Sequence, residues 1–281
     1  NALLVEEPEA HLHPQYQNTF FEYLNELQSK GLQIFVTSHS PTITAKSDVD
    51  NISVLQRKQS TIRSFSFDEL SEEDYPKESK RHLRKFLDTT KAQLFFANGV
   101  LLVEGVAEAI IIPILAKKFL TEKIDLCKSG IELVNIGGVA FNHFGLLFNN
   151  DDERKRLLSK CAIITDSDPK ADGNISDRAK KAKDLEKHNL KVCLAPHTLE
   201  HDLFEESERN QTIMREVYRN MHSQTDDLRG DFNVSTLMDK LESNKDKAEF
   251  ALQLYDRFEK EDAFDVPEYI KEAILFVVPT E

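Results

Sequence analysis

The order of apolar and polar positions divides the chain into a sheet-and-helix opening, a polar stretch, and a long regular region. Residues 1–58 read as a strand around Leu3-Leu4-Val5, then an amphipathic helix, "PQYQNTFFEYLNELQSKG", ended by Gly31, then a second strand in "LQIFVTSHS". Residues 59–95 turn polar, with acidic "SFDELSEEDYPKES" ahead of basic "KESKRHLRKF", and are expected to form a connector or helical arm. From residue 96 the pattern becomes periodic. Strand "GVLLVEG" precedes helix "AEAIIIPILAKKFLTE", and strand "IELVNIGG" precedes helix "FNHFGLLFNN". Strand "CAIITDSD" precedes helix "ISDRAKKAKDLEKHN", and strand "KVCLAP" leads to a helix near "TLEHDLFEE". Strands alternating with helices at these lengths predict an α/β fold, a parallel sheet with helices on both faces, over 96–207. Residues 208–281 read as helical and complete that region.

Composition narrows the class without naming a chemistry. The 281 residues are 40% hydrophobic and 30% charged, as expected of a folded globular chain. No apolar run approaches the roughly 20 residues that span a bilayer, so no membrane partner is expected. No signal-peptide pattern opens the chain. Cys127, Cys161 and Cys193 are scattered and odd in number, which suggests thiols in a reducing compartment; cytoplasm is the expected location. A net charge of −13 runs against a nucleic-acid partner. Local basic residues (Lys77, Lys80, Arg81, Arg84 and Lys85) and metal ions among the acids both weaken that objection.

Acids gather where such a sheet places its sites, at the carboxyl ends of the strands. "VLLVEG" ends in Glu104, with Gly105 for a tight turn and Glu108 in the next helical turn. "CAIITDSD" ends in Asp166 and Asp168, which by strand alternation face the same way. "HTLEHDL" adds Glu200 and Asp202 at a helix start. So many carboxylates repel one another unless cations sit among them. Oxygen ligands of this kind suit Mg2+ or Mn2+, and two such ions would clamp the attacking and leaving oxygens of a phosphodiester. The first strand likewise ends in two acids, Glu6 and Glu7, as in a nucleotide-hydrolysing site, yet the sequence holds no G-x-x-x-x-G-K-[ST] loop. His197 and His201 stand four apart, as zinc ligands on a helix do, but no third ligand stands at a recognisable spacing, so zinc is set aside. A serine-hydrolase elbow is absent.

"LLVEGVAEAIIIP" followed by "ITDSD" resembles the Toprim domain of topoisomerases, primases and several nucleases. Together with "LLVEEPEAHLHP", "VTSHSP", "LFFANGVLLVEG" and "TLEHDL", it resembles the C-terminal portion of the overcoming-lysogenization-defect (OLD) family, ABC-type ATPases with a Toprim nuclease and relatives of the Gabija nuclease. The resemblance implies that residues 1–58 are the C-terminal half of an ATPase, with Glu6 supporting magnesium, Glu7 as general base and His39 as γ-phosphate sensor. The phosphate-binding half would precede Asn1, so ATP would bind only in a longer parent, and no ATP hydrolysis is expected of this chain. The resemblance further implies that Glu104, Asp166 and Asp168 hold a principal metal, that Glu108 and Glu200 lie near a second, and that Asp202 assists. "SNKDKAEFALQLY" resembles a family segment whose lysine enters the nuclease site; Lys247 aligns with it, and Lys245 is the rival. The implied activity is Mg2+- or Mn2+-dependent DNA cleavage, with DNA as partner, a homodimer, and an accessory defence or repair protein as a further partner. The alternative is a dimerisation or docking module without catalysis.

Overall fold

The computed structural model describes residues 1–138, 140–168, 174–222 and 232–279, apart from the side chains of residues 11 and 14. The chain forms two compact units: residues 1–97 with 150–158, and residues 98–149 with 159–281.

In the first unit, β1 (Ala2–Glu6) and β2 (Gln33–Thr37) pair in parallel around α1 (Pro14–Ser29), and α2 (Pro41–Lys46) follows. Ser40 caps α2 by accepting a hydrogen bond from the Ile43 N–H, and Pro41 sits in its first turn, where no amide donor is needed. A hairpin of β3 (Ser53–Lys58) and β4 (Thr61–Ser66) straddles the boundary expected at residue 58, and α3 (Lys77–Phe86) and α4 (Thr89–Ala92) follow in the stretch expected as a connector. The hairpin escapes sequence reading because Gln59, not glycine or asparagine, takes the left-handed turn position at φ 54°, and because Leu55 and Ile62 are exposed. Phe65, Phe67, Tyr75 and Phe95 pack edge-to-face behind it, with Phe67 at the centre. Residues 150–158 join this unit through polar bonds: Glu153 pairs with Lys58 and Arg63, and Lys155 with Asp74 at 2.7 Å. The basic patch on α3 is partly consumed, since Lys80 pairs with Asp50 at 2.6 Å and Arg84 with Asp48 at 3.2 Å.

The second unit is a four-stranded, wholly parallel sheet in the order β6-β5-β7-β8, formed by β5 (Gly99–Val103), β6 (Ile131–Asn135), β7 (Lys160–Asp166) and β8 (Leu190–Ala195). Every residue of β5 is buried, as a strand covered on both faces requires. Leu101, Val103, Ala162, Ile164, Cys193 and Ala195 belong to one continuous core with α5 (Val106–Lys118). The alternate residues Val100, Leu102, Ile163, Leu190 and Val192 are buried too, outside that cluster. α6 (Phe141–Gly145) packs on β7 and α7 (Asp177–Lys183) on β8; both are shorter than the sequence pattern suggests. The remaining helices are α8 (Leu199–Glu205), α9 (Glu208–Met221), α10 (Val234–Asn244), α11 (Lys247–Phe258) and α12 (Glu268–Val277). α11 lies on α5, and α12 lies across β7 and β8. α12 also approaches β5 so closely that a Cβ on Gly99 would meet the Val277 carbonyl oxygen at 2.2 Å.

Asn210, fully buried on α9, ties this helical layer together. Its amide donates to the carbonyls of Leu203 and Asp265 at 2.8 and 2.7 Å, and its oxygen accepts from the Asp265 N–H at 3.0 Å. Asn210→Ala would strand these backbone groups in the core and is expected to lower stability by about 2–3 kcal/mol. Urea unfolding measures this as a lower midpoint at unchanged slope; a midpoint equal to that of the unmodified chain would contradict it.

Candidate active site

The carboxyl-terminal edge of the second sheet carries the acids. Glu104 follows β5 directly, and Gly105 starts α5, whose first turn holds Glu108. A Cβ at position 105 would stand 2.8 Å from Oε2 of the returning Glu108, so the tip of that side chain would have to move aside. Thr165 donates its hydroxyl hydrogen bond to Glu104 Oε1 and so orients that carboxylate. Asp166 is the last residue of β7. The strand ends there, so alternation does not set Asp168; its left-handed backbone, at φ 43°, does. Ser167 between them is buried and fastened to the neighbouring strand exit, its N–H donating to Ala195 O and its hydroxyl to Pro196 O. Glu200 and Asp202 are both buried in α8.

The electrostatics show which acids meet. Burial pushes the Asp166 carboxyl up to about 7, and the charges of Glu104, Glu108 and Asp168 push the same way. Burial raises Glu108 as well, and Glu200 and Glu104 add to it. The hydroxyl of Tyr269, on α12, is raised by burial and then by Asp202, Asp166, Glu108 and Glu200, and it has no hydrogen-bond partner among the described residues. Glu104, Glu108, Asp166, Asp168 and Glu200 therefore share one rim, and Asp202 stands beside it, near the same Tyr269 hydroxyl.

One cation is built into that rim, and sequence reasoning missed it. Arg178, on α7, lies 2.7 Å from Asp168 Oδ2 and 3.4 Å from Glu104 Oε1, and donates to the Asp166 carbonyl at 3.2 Å. It sits in the first turn of α7, where no periodicity marks a site. Lys247 Nζ is 3.8 Å from Glu242, and among the described residues no rim carboxylate lies within ion-pair distance of it. Lys245 ends α10 in a left-handed conformation.

Asp202 points to a different set of partners. Its Oδ1 lies 3.3 Å from His197 Nδ1 and 3.5 Å from His201 Nδ1. The third group that the histidine spacing lacked is thus the residue adjoining His201. In the first unit, Glu6 ends β1, Glu7 is left-handed at φ 40°, and His39 Nε2 lies 3.3 Å from Glu7 Oε1. Glu9, not expected from sequence, accepts hydrogen bonds at 2.7 Å from the Ser38 hydroxyl and the His39 N–H.

Residues 95–168 match the family described as overcoming lysogenization defect protein-like, TOPRIM domain. This stretch is an OLD-like Toprim domain. Residues 1–45 match an AAA domain described as putative AbiEii toxin, type IV toxin–antitoxin system. The chain is 29% identical over 164 residues to the Old nuclease of Escherichia phage P2, covering 58% of this chain and 28% of that protein. It is 28% identical over 206 residues to endonuclease GajA of Bacillus cereus strain HuB5-5, covering 66% of this chain and 29% of that one. The chain thus spans less than a third of either relative. Among solved structures, the C-terminal region of the Burkholderia pseudomallei OLD protein superposes with a TM-score of 0.50 at 21% identity, over 65% of this chain and 97% of that one, which supports the fold of the Toprim domain. Among the described residues, no helix is long and apolar enough to cross a membrane.

The raised Asp166 carboxyl has a measurable sign. A carboxyl whose folded pKa exceeds its unfolded value holds its proton better when folded, so its contribution to stability is present in acid and lost as the pH rises from about 4 through about 7. In EDTA, the melting temperature of the chain is expected to fall over that window. Asp166→Asn is expected to flatten the fall, and Mg2+ to offset it at pH 8. Parallel profiles for the two proteins would show that the carboxyl is not strained.

Proposed function

We propose that the Toprim domain hydrolyses phosphodiester bonds in DNA, with Mg2+ or Mn2+ ions held by Glu104, Glu108, Asp166, Asp168 and Glu200. The observation that carries this reading is the charge of the rim: these carboxylates share one half-buried edge, with Arg178 as the paired cation and Asp166 pushed up to about 7. All-oxygen donors with excess negative charge fit a hard divalent ion. Bound there, such ions stabilise charge on the phosphoryl oxygens and make an attacking water acidic enough to react near neutral pH. The names of the relatives, a nuclease and an endonuclease, support the same class.

The chain's own residues have separable tasks in this reading. Thr165 holds Glu104 in one orientation, and Gly105 lets Glu108 fold back toward the strand end. Arg178 keeps the Asp166–Asp168 turn in place through the Asp166 carbonyl and adds fixed positive charge where a scissile phosphate would approach. Lys247 would have to leave Glu242 to take that part. A docking role alone gives no reason to keep these acids where they repel one another. In the first unit, Glu6, Glu7 and His39 are the proposed carboxylate half of an ATPase site.

The test is a plasmid-cleavage time course with Mg2+, Mn2+ or EDTA, on the chain and on Asp166→Ala. Cleavage is expected to need the metal. The variant is expected to lose more than about 100-fold in rate, beyond the 10–100-fold typical of groups that only support metal ligands. Cleavage that persists in EDTA or in Asp166→Ala, or a folded, metal-binding chain that leaves DNA intact, would overturn the reading.

A further inference from the structure

We propose that His197, His201 and Asp202 bind one transition-metal ion of the zinc class, at a site beside the carboxylate rim with its own set of donors. All three lie where β8 hands over to α8. His197 is in the turn after the strand, and His201 and Asp202 are in the helix that follows. Each offers one ligand atom, and these atoms all lie within 4.8 Å of one another. The separations from Asp202 Oδ1 to the two Nδ1 atoms, 3.3 and 3.5 Å, can be compared with a tetrahedral ion. Bonds of about 2.0–2.1 Å give ligand–ligand edges of about 3.3–3.4 Å. The two separations lie within about 0.2 Å of that edge, and the third, between the two rings, is within 4.8 Å.

Two further observations separate this arrangement from an ordinary histidine–carboxylate pair. The Asp202 carboxylate is buried and fixed from its other oxygen, Oδ2, by the His197 N–H at 3.2 Å, so Oδ1 is presented to both rings. This is how ligating carboxylates are commonly oriented. His201 Nδ1 is also buried and has no hydrogen-bond partner among the described residues. It faces Asp202 Oδ1 at 3.5 Å without making a hydrogen bond, a spacing that suits two ligands of one ion. The rings stack with centroids 3.9 Å apart, an arrangement that two protonated imidazoles would oppose and an ion taken up by neutral ones would stabilise.

Donor chemistry sets the site apart from the rim. Imidazole nitrogens favour Zn2+, Co2+ or Ni2+ over Mg2+, whereas the rim is all oxygen. Three protein ligands leave a fourth position for water or an oxygen from a bound molecule. Because Glu200 shares α8 with two of the ligands, the ion would also fix the start of the helix that brings Glu200 to the rim.

The experiment uses the full chain, stripped with chelator and then loaded with Co2+ in excess Mg2+. Metal content after gel filtration and the visible absorption of four-coordinate Co2+ are the readouts, neither of which depends on DNA cleavage. One Co2+ per chain is expected to survive the Mg2+ excess, and it should also be retained in Asp166→Asn. Both His201→Gln and His197→Gln should lose the ion and its absorption. His197 is half exposed, so its replacement serves as the variant that keeps the fold. Retention of Co2+ in both histidine variants, its loss in Asp166→Asn, or no Co2+ bound by the folded chain would overturn the proposal.

Discussion

Repulsion among Glu104, Glu108, Asp166, Asp168 and Glu200 is the unfavourable interaction around which the second unit is arranged. It arises because three parallel strands end side by side and each hands an acid to the same edge. The apolar sheet interior beneath cannot solvate them, so the energy of the fold and the demand for positive charge are set by the same residues. Arg178 answers part of that demand from within the chain. Its guanidinium spans Glu104 and Asp168 while gripping the backbone at Asp166, so the turn is held even where its charges are not balanced.

The sheet and its acidic edge were legible because each signal has a direct physical origin. A strand buried on both faces must be apolar throughout, which makes "GVLLV" and "CAIIT" conspicuous, and the strand ends then locate Glu104 and Asp166 without further information. What escaped reading depends on backbone geometry at single residues. Asp168 leaves the strand pattern through a positive φ, and Arg178 returns to it from a short helix whose spacing carries no signature. The hairpin of the first unit is hidden the same way, behind a left-handed Gln59 and exposed apolar residues.

Asp202 illustrates a different limit. In a row of letters it is one more acid beside Glu200. The first turns of α8 separate them: Glu200 joins the rim, and Asp202 turns to the imidazoles of His197 and His201. Residues two apart on a helix do not share a face. A motif that delivers two acids can therefore serve two neighbouring sites with different donor chemistry.

The close seating of α12 on β5, with Val277 against Gly99, bears on how the unit is made. The strand that starts this sheet is completed only by a helix far along the chain, and Asn210 adds a second long-range tie near Asp265. Much of the native core thus rests on contacts distant in sequence, which is the condition for slow, late-consolidating folding. During synthesis, β5 and its neighbours would wait with one apolar face uncovered until α12 emerges. That interval is when a chaperone or a premature partner has the most surface to hold.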